Sequence, residues 1–133
     1  TSKKLANDFK EAVGPNGADI VYDIVGGDYS EPALRSIAWE GRFLVVGFPA
    51  GIAKMPLNLT LLKSCDIRGV FWGAFTAREP ERNSANIAEL FDLWKAGKIN
   101  PLISETYPIE RAHEAITKLE NRGAIGKLVV TME

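Results

Sequence analysis

The chain has 133 residues, 46% hydrophobic and 25% charged, a composition that fits one soluble globular domain able to bury a core. A formal net charge of −1, with lysines and arginines scattered along the chain, speaks against nucleic acid or an acidic membrane as a partner. The single cysteine, Cys65, rules out an internal disulfide framework and fits a reducing, cytoplasmic compartment, and no apolar run approaches the roughly 20 residues of a membrane span.

Leu5, Phe9 and Val13 recur every four residues with Ala6 and Ala12 beside them, which predicts an amphipathic helix stopped by Gly14-Pro15-Asn16-Gly17. No signal-peptide core follows Thr1-Ser2-Lys3-Lys4. A first strand is expected over 19–25, its nearly unbroken apolar run suggesting cover on both faces. Ser30 or Glu31 can cap a second helix with Pro32 in its first turn, with Leu34, Ile37 and Ala38 facing inward and Gly41 as its stop. The second strand, 43–46, follows at once. After Gly51 an irregular stretch leads to a short helix from Asn58 to Lys63, then to a third strand from near Asp66 through Val70 and Phe71.

Residues 76–82 are charged and contain Pro80, and they read as an exposed loop. Ser84 can cap a helix with a buried stripe of Ile87, Leu90, Phe91 and Trp94, stopped by Gly97. From Lys98 the character changes. Ile99, Leu102 and Ile103 lie in an extended stretch leading to Tyr107-Pro108. A helix burying Ile109, Ala112, Ile116 and Leu119 ends at Asn121-Arg122-Gly123, and 126–132 form a closing strand.

This alternation predicts an α/β fold, a parallel sheet with right-handed crossovers. The three apolar runs break into glycine at Val25-Gly26-Gly27, at Gly47-Phe48-Pro49-Ala50-Gly51 and at Trp72-Gly73. In a parallel sheet these breaks fall at the strand carboxyl ends, along the edge where open α/β sheets bind ligands. A dinucleotide domain needs two three-stranded halves, and this chain supplies one.

No G-x-G-x-x-G is present, so the phosphate-cradling turn is missing. Gly26 and Gly47 admit two readings: close approach of a ribose or nicotinamide ring to the backbone, or simple turns. Asp23, inside an apolar run, could meet a cofactor hydroxyl, although the commoner role is to hold a neighbouring backbone turn. Phe48, Phe71 and Trp72 could stack on a flat ring or serve packing or a subunit interface. Lys127 could meet a phosphate or simply be solvated. His113 and Cys65 have no supporting ligands nearby in sequence, so neither a zinc site nor a Cys–His nucleophile is expected.

The run 23–27, then Ala33-Leu34 through Ala38-Trp39-Glu40-Gly41-Arg42, then Val45-Val46-Gly47-Phe48, is followed by residues 56–63 and by Gly69-Val70-Phe71-Trp72-Gly73. With Gly97-Lys98-Ile99, Tyr107-Pro108-Ile109-Glu110-Arg111-Ala112 and Gly126-Lys127-Leu128-Val129, the whole resembles the quinone oxidoreductase branch of the medium-chain dehydrogenase/reductase superfamily. The resemblance implies a C-terminal fragment: 1–97 as the second half of a Rossmann-type sheet, and 98–133 as the strand–helix–strand completing a GroES-like catalytic domain. It implies zinc-independent hydride transfer from NADPH to quinones or α,β-unsaturated carbonyls by the intact parent, with the isolated chain inactive. Val25 and Gly26 would lie on the adenosine or ribose side of the cofactor. Gly47, Phe48 and Pro49 would flank the nicotinamide ribose, Phe71, Trp72 and Gly73 the nicotinamide, and Lys127 the pyrophosphate; no catalytic residue is assigned. It also implies a homodimer through the strand from Ile67 to Phe71. The alternative is a non-catalytic association module with a vestigial crevice.

Overall fold

The computed structural model describes residues 2–132, which group into two compact units, one ending at Arg78 and the other beginning at Glu79. In the first unit, helix α1 (Ser2–Val13) leads into strand β1 (Ala18–Asp23), a 3-10 turn (Gly27–Tyr29) and helix α2 (Ser30–Arg35). Strand β2 (Ile37–Val45), helix α3 (Asn58–Lys63), strand β3 (Asp66–Gly69) and helix α4 (Trp72–Arg78) complete it. The strands run parallel in the order β1-β2-β3, and Asp23, Val45 and Gly69 stand side by side where they end.

The core lies on one face of this sheet. Leu34 from α2 and Leu59 from α3 pack against Ile37 and Phe43, with Val21, Val45, Met55 and Ile67 around them. Side chains alternate across a strand, so Ile20 and Tyr22 point to the opposite face, where each stays 64% exposed. The expected cover on both faces of β1 is therefore not found among the described residues, because α2 and α3 both serve the Val21–Phe43 side.

Two further expectations change. The second helix stops at Arg35, and Ile37 and Ala38 open β2 instead of facing inward from a helix. Ser36 ends the helix by bonding back to Ala33 through both its N–H and its hydroxyl, while its carbonyl accepts the Ala18 N–H and starts the β1–β2 pairing. The pairing then jumps from Ala18–Ile37 to Ile20–Arg42, an irregularity that leaves three extra residues on β2, and Glu40 within that excess has φ 57°. Nor are residues 76–82 a loop. Helix α4 runs to Arg78 and the next helix starts at Pro80, with Glu79 alone between them. Proline suits a first helical position, where its missing N–H costs nothing, so the residue read as a breaker is a starter.

The second unit opens with helix α5 (Pro80–Lys95) and continues with strand β4 (Ile103–Pro108), a 3-10 turn (Ile109–Arg111), helix α6 (Ala112–Glu120) and strand β5 (Lys127–Thr131). β4 and β5 pair in parallel across the α6 crossover. Ser84 is not the cap of α5, since its hydroxyl donates to the Pro80 carbonyl within the helix. The stripe expected to be buried there, Ile87, Leu90, Phe91 and Trp94, is 42–56% exposed. On α6 the buried residue is Ala115, while Ile109, Ile116 and Leu119 are exposed. The apolar spacing of these helices is as read, but the described residues leave about half of each of these side chains exposed. Among the described residues no helix is long and apolar enough to cross a membrane.

Candidate functional site

Parallel pairing in register brings the ends of β1, β2 and β3 to one edge of the first unit. Asp23, the last residue of β1, is only 8% exposed. One carboxylate oxygen accepts the N–H groups of Val25 and Gly26, each at 2.9 Å, and the other accepts the Ser30 hydroxyl at 2.5 Å. Burial pushes this carboxyl up, but the bonds from Ser30, Gly26 and Val25 outweigh it and hold the group below its ordinary value. Asp23 thus holds a backbone turn, the commoner of the two roles read for it.

The same residue reaches the next loop through its main chain. Its carbonyl accepts the N–H groups of Val46 at 2.9 Å and Gly47 at 3.2 Å. Farther out the two loops join directly: Ala50 N–H donates to the Val25 carbonyl at 2.9 Å and Gly27 N–H to the Gly51 carbonyl at 2.7 Å. Gly26 has φ 74°, and a Cβ there would stand 2.7 Å from both the Gly51 carbonyl oxygen and the Phe48 Cα. At Gly47 a Cβ would sit 3.0 Å from the Ile24 carbonyl oxygen. The close approach these glycines permit is therefore between loop and loop.

Val25, Gly26, Gly47, Phe48 and Pro49 form one cluster at this edge, with Phe48 projecting at 63% exposure. Phe71 and Trp72 lie elsewhere. They line a groove of about 470 Å³ on the open face of the sheet, together with Ile20, Leu44, Arg68 and Phe75. Gly73 is no strand-end break but part of α4, packed near the Phe71 ring. Lys127 belongs to the second unit, where it is the first residue of β5 and donates its N–H to the Leu102 carbonyl at 2.7 Å. Sequence reasoning missed Ser30 as the partner of Asp23, having read it as a helix cap. The spacing of the two residues, seven apart across a strand end, offers no signal of that bond.

The second unit carries its own polar cluster. Glu105 accepts the Tyr107 hydroxyl at 2.6 Å and forms an ion pair with Lys118, and Arg111 lies 5.9 Å from the centre of the Tyr107 ring. The Lys118 bond, then the Tyr107 bond, pulls the Glu105 carboxyl down, and the Tyr107 hydroxyl is pushed up by its bond to Glu105. Tyr107 is buried, so this cluster tethers the β4–α6 corner.

The profile of the zinc-binding dehydrogenase family matches residues 2–130. The chain belongs to this family. Its relatives place it in the quinone oxidoreductase-like branch of the medium-chain dehydrogenase/reductase superfamily. It is 36% identical over 130 residues to quinone oxidoreductase-like protein 2 of Bos taurus, covering 94% of this chain and 37% of the bovine protein. The homologue of that protein in Nematostella vectensis is 31% identical over 132 residues, covering 98% of this chain and 36% of its own length. Among solved structures, mycobacterial Rv1454c complexed with NADPH superposes with a TM-score of 0.76 at 27% identity, over 98% of this chain and 40% of that one. The chain thus spans little more than a third of the curated relatives it matches.

The family's name raises zinc, and the residues present do not fit it. Among the described residues no three His, Cys, Asp or Glu side chains converge, and Cys65 and His113 fall in different units. A nicotinamide cofactor fits better. Residues 24–27 and 46–52 contain no charged side chain, so the edge suits the flat, uncharged part of a nucleotide.

Proposed function

We propose that the intact parent of this chain is an oxidoreductase that passes hydride from NADPH to a quinone or an α,β-unsaturated carbonyl, in the cytoplasm and without zinc. The observation carrying this reading is the uncharged strand-end residues 24–27 and 46–52, joined at one edge of the sheet, in a chain of the quinone oxidoreductase-like branch. The cofactor, when bound, supplies the hydride. The part of this chain is positioning and exclusion of water: Val25 and Gly26 on the adenosine or ribose side, and Gly47, Phe48 and Pro49 along the nicotinamide ribose. Phe71, Trp72 and Gly73 would approach the nicotinamide, and Lys127 the pyrophosphate as a point charge. The division between the parent's two domains is proposed near Lys98. Alone, the chain lacks the glycine-rich phosphate turn and is expected to bind NADPH weakly and to turn nothing over.

The test is NADPH oxidation by the product of the complete coding region, with benzoquinone and a simple enone as acceptors. Turnover is expected, and Phe48→Ala should raise the KM for NADPH by roughly fivefold to tenfold, the value of one lost ring contact. Full turnover by the 133-residue chain alone, or no oxidation by the complete protein with either acceptor, would refute the reading.

A second reading, association of two copies, has its own observation. β3 is an outer strand of the sheet, and Val70, Phe71 and Trp72 are exposed just beyond it. An open apolar edge favours pairing, and we propose a homodimer through 67–71. Mass measurement in solution should give a dimer that Val70→Lys splits; a strict monomer contradicts it.

A further inference from the structure

The loop after β2, which carries Phe48 and Pro49, contains no side-chain hydrogen bond of its own to the sheet among the described bonds. What holds it is backbone, and its bonds across the sheet edge lead back to β1 or the loop after it: Val46 and Gly47 N–H donate to the Asp23 carbonyl and Ala50 N–H to the Val25 carbonyl, while the Gly51 carbonyl accepts the Gly27 N–H. Residues 25 and 26 are in turn fixed by the Asp23 carboxylate, which the Ser30 hydroxyl anchors to the start of α2. The absent Cβ of Gly26 leaves room for the two loops to meet.

We infer that Asp23 is a positioning residue whose carboxylate, by fixing the loop after β1, sets the conformation of the loop after β2 across the sheet edge. Its bearing on the cofactor rests on the reading above; the mechanical claim does not. The carboxylate is a buried acceptor serving three donors, so its removal leaves Val25 N–H, Gly26 N–H and the Ser30 hydroxyl without a partner at the point where the loops meet. The cost should therefore appear in the loop joint before it appears in the strands.

Amide hydrogen exchange on the isotope-labelled 133-residue chain tests this. In Asp23→Ala, the Ala50 and Gly27 amides should exchange faster by roughly tenfold or more, while Phe43 and Leu44 in β2 change by less than about threefold. Asp23→Asn, which keeps an acceptor oxygen, should restore most of that protection. The Val25 and Gly26 amide protons, shifted downfield by the carboxylate, should move upfield in both variants. Should Asp23→Ala fail to fold, Ser30→Ala, which removes one donor, decides on the same amides with a smaller effect in the same order. A uniform loss over strand and loop, or Ala50 protection unchanged, overturns the inference. A separate titration of the wild-type chain with NADPH tests the cofactor reading, and its failure leaves the amide result standing.

Discussion

The two units use similar helices and parallel strands, yet they bury very different amounts of what they carry. In the first, Leu34, Ile37 and Phe43 are fully buried and Leu59 nearly so, under a sheet whose strands are in register. In the second, Tyr107 and Ala115 are the buried apolar residues described, and the stripes of α5 and α6 face outward. An amphipathic pattern states which face wants cover; it does not state that the same chain provides it. The first unit provides its own core on one sheet face, and the second is held largely by strand pairing and by the Glu105–Tyr107–Lys118 cluster.

The comparison breaks most directly at Phe43. Phe43→Ala should cost about 3–5 kcal/mol in chemical denaturation, since it removes a fully buried ring from a packed core; a loss below about 1 kcal/mol would mean that the core is not where stability resides. Gly26→Ala should cost about 1–3 kcal/mol, because it forces a side chain into φ 74° and against the Gly51 carbonyl. A neutral outcome there would show that the loops do not meet as described.

The polar clusters sharpen the comparison through pH. The Asp23 carboxyl titrates below its ordinary 3.8, so its contribution is complete above that value and is lost as pH falls through the lower folded value. Acid unfolding followed on the first unit should therefore move to higher pH in Ser30→Ala. Tyr107 runs the other way. Its hydroxyl titrates above 10.0, so the contribution is complete below that value and is lost as pH rises through the folded one. In Glu105→Gln, tyrosinate absorbance should show Tyr107 titrating at lower pH than in the wild type, and an unchanged curve would deny the bond. The smallest effect is expected at Leu90→Glu on the exposed stripe of α5, within about 0.5 kcal/mol. A large loss there would reveal cover for that stripe.

Much of the first unit is legible in its sequence. The helix Asn58–Lys63 lies where spacing puts it, and β1 and β2 end near their glycines, because apolar runs and turn residues act locally, whereas β3 stops at Gly69, short of the expected Val70 and Phe71. What is not legible depends on contacts far apart in the chain. Ile37 and Ala38 read equally well as a helix face, and only pairing with β1 turns them into strand. Pro80 reads as a break, and only the helix it begins gives it the other meaning. The candidate site divides the same way. The cluster around Gly26 and Gly47 follows from strand order, whereas Phe71 and Trp72 face a groove on the open side of the sheet.

The proposed seating of the uncharged half of a nicotinamide cofactor at the edge formed by the loops after β1 and β2 can be read from amide shifts on the labelled chain during titration with NADPH. Weak binding with shifts at Val25, Gly26, Gly47 and Phe48 is expected. No shift at these four residues at nucleotide concentrations of about 1 mM and above, or shifts confined to other parts of the chain, would contradict it.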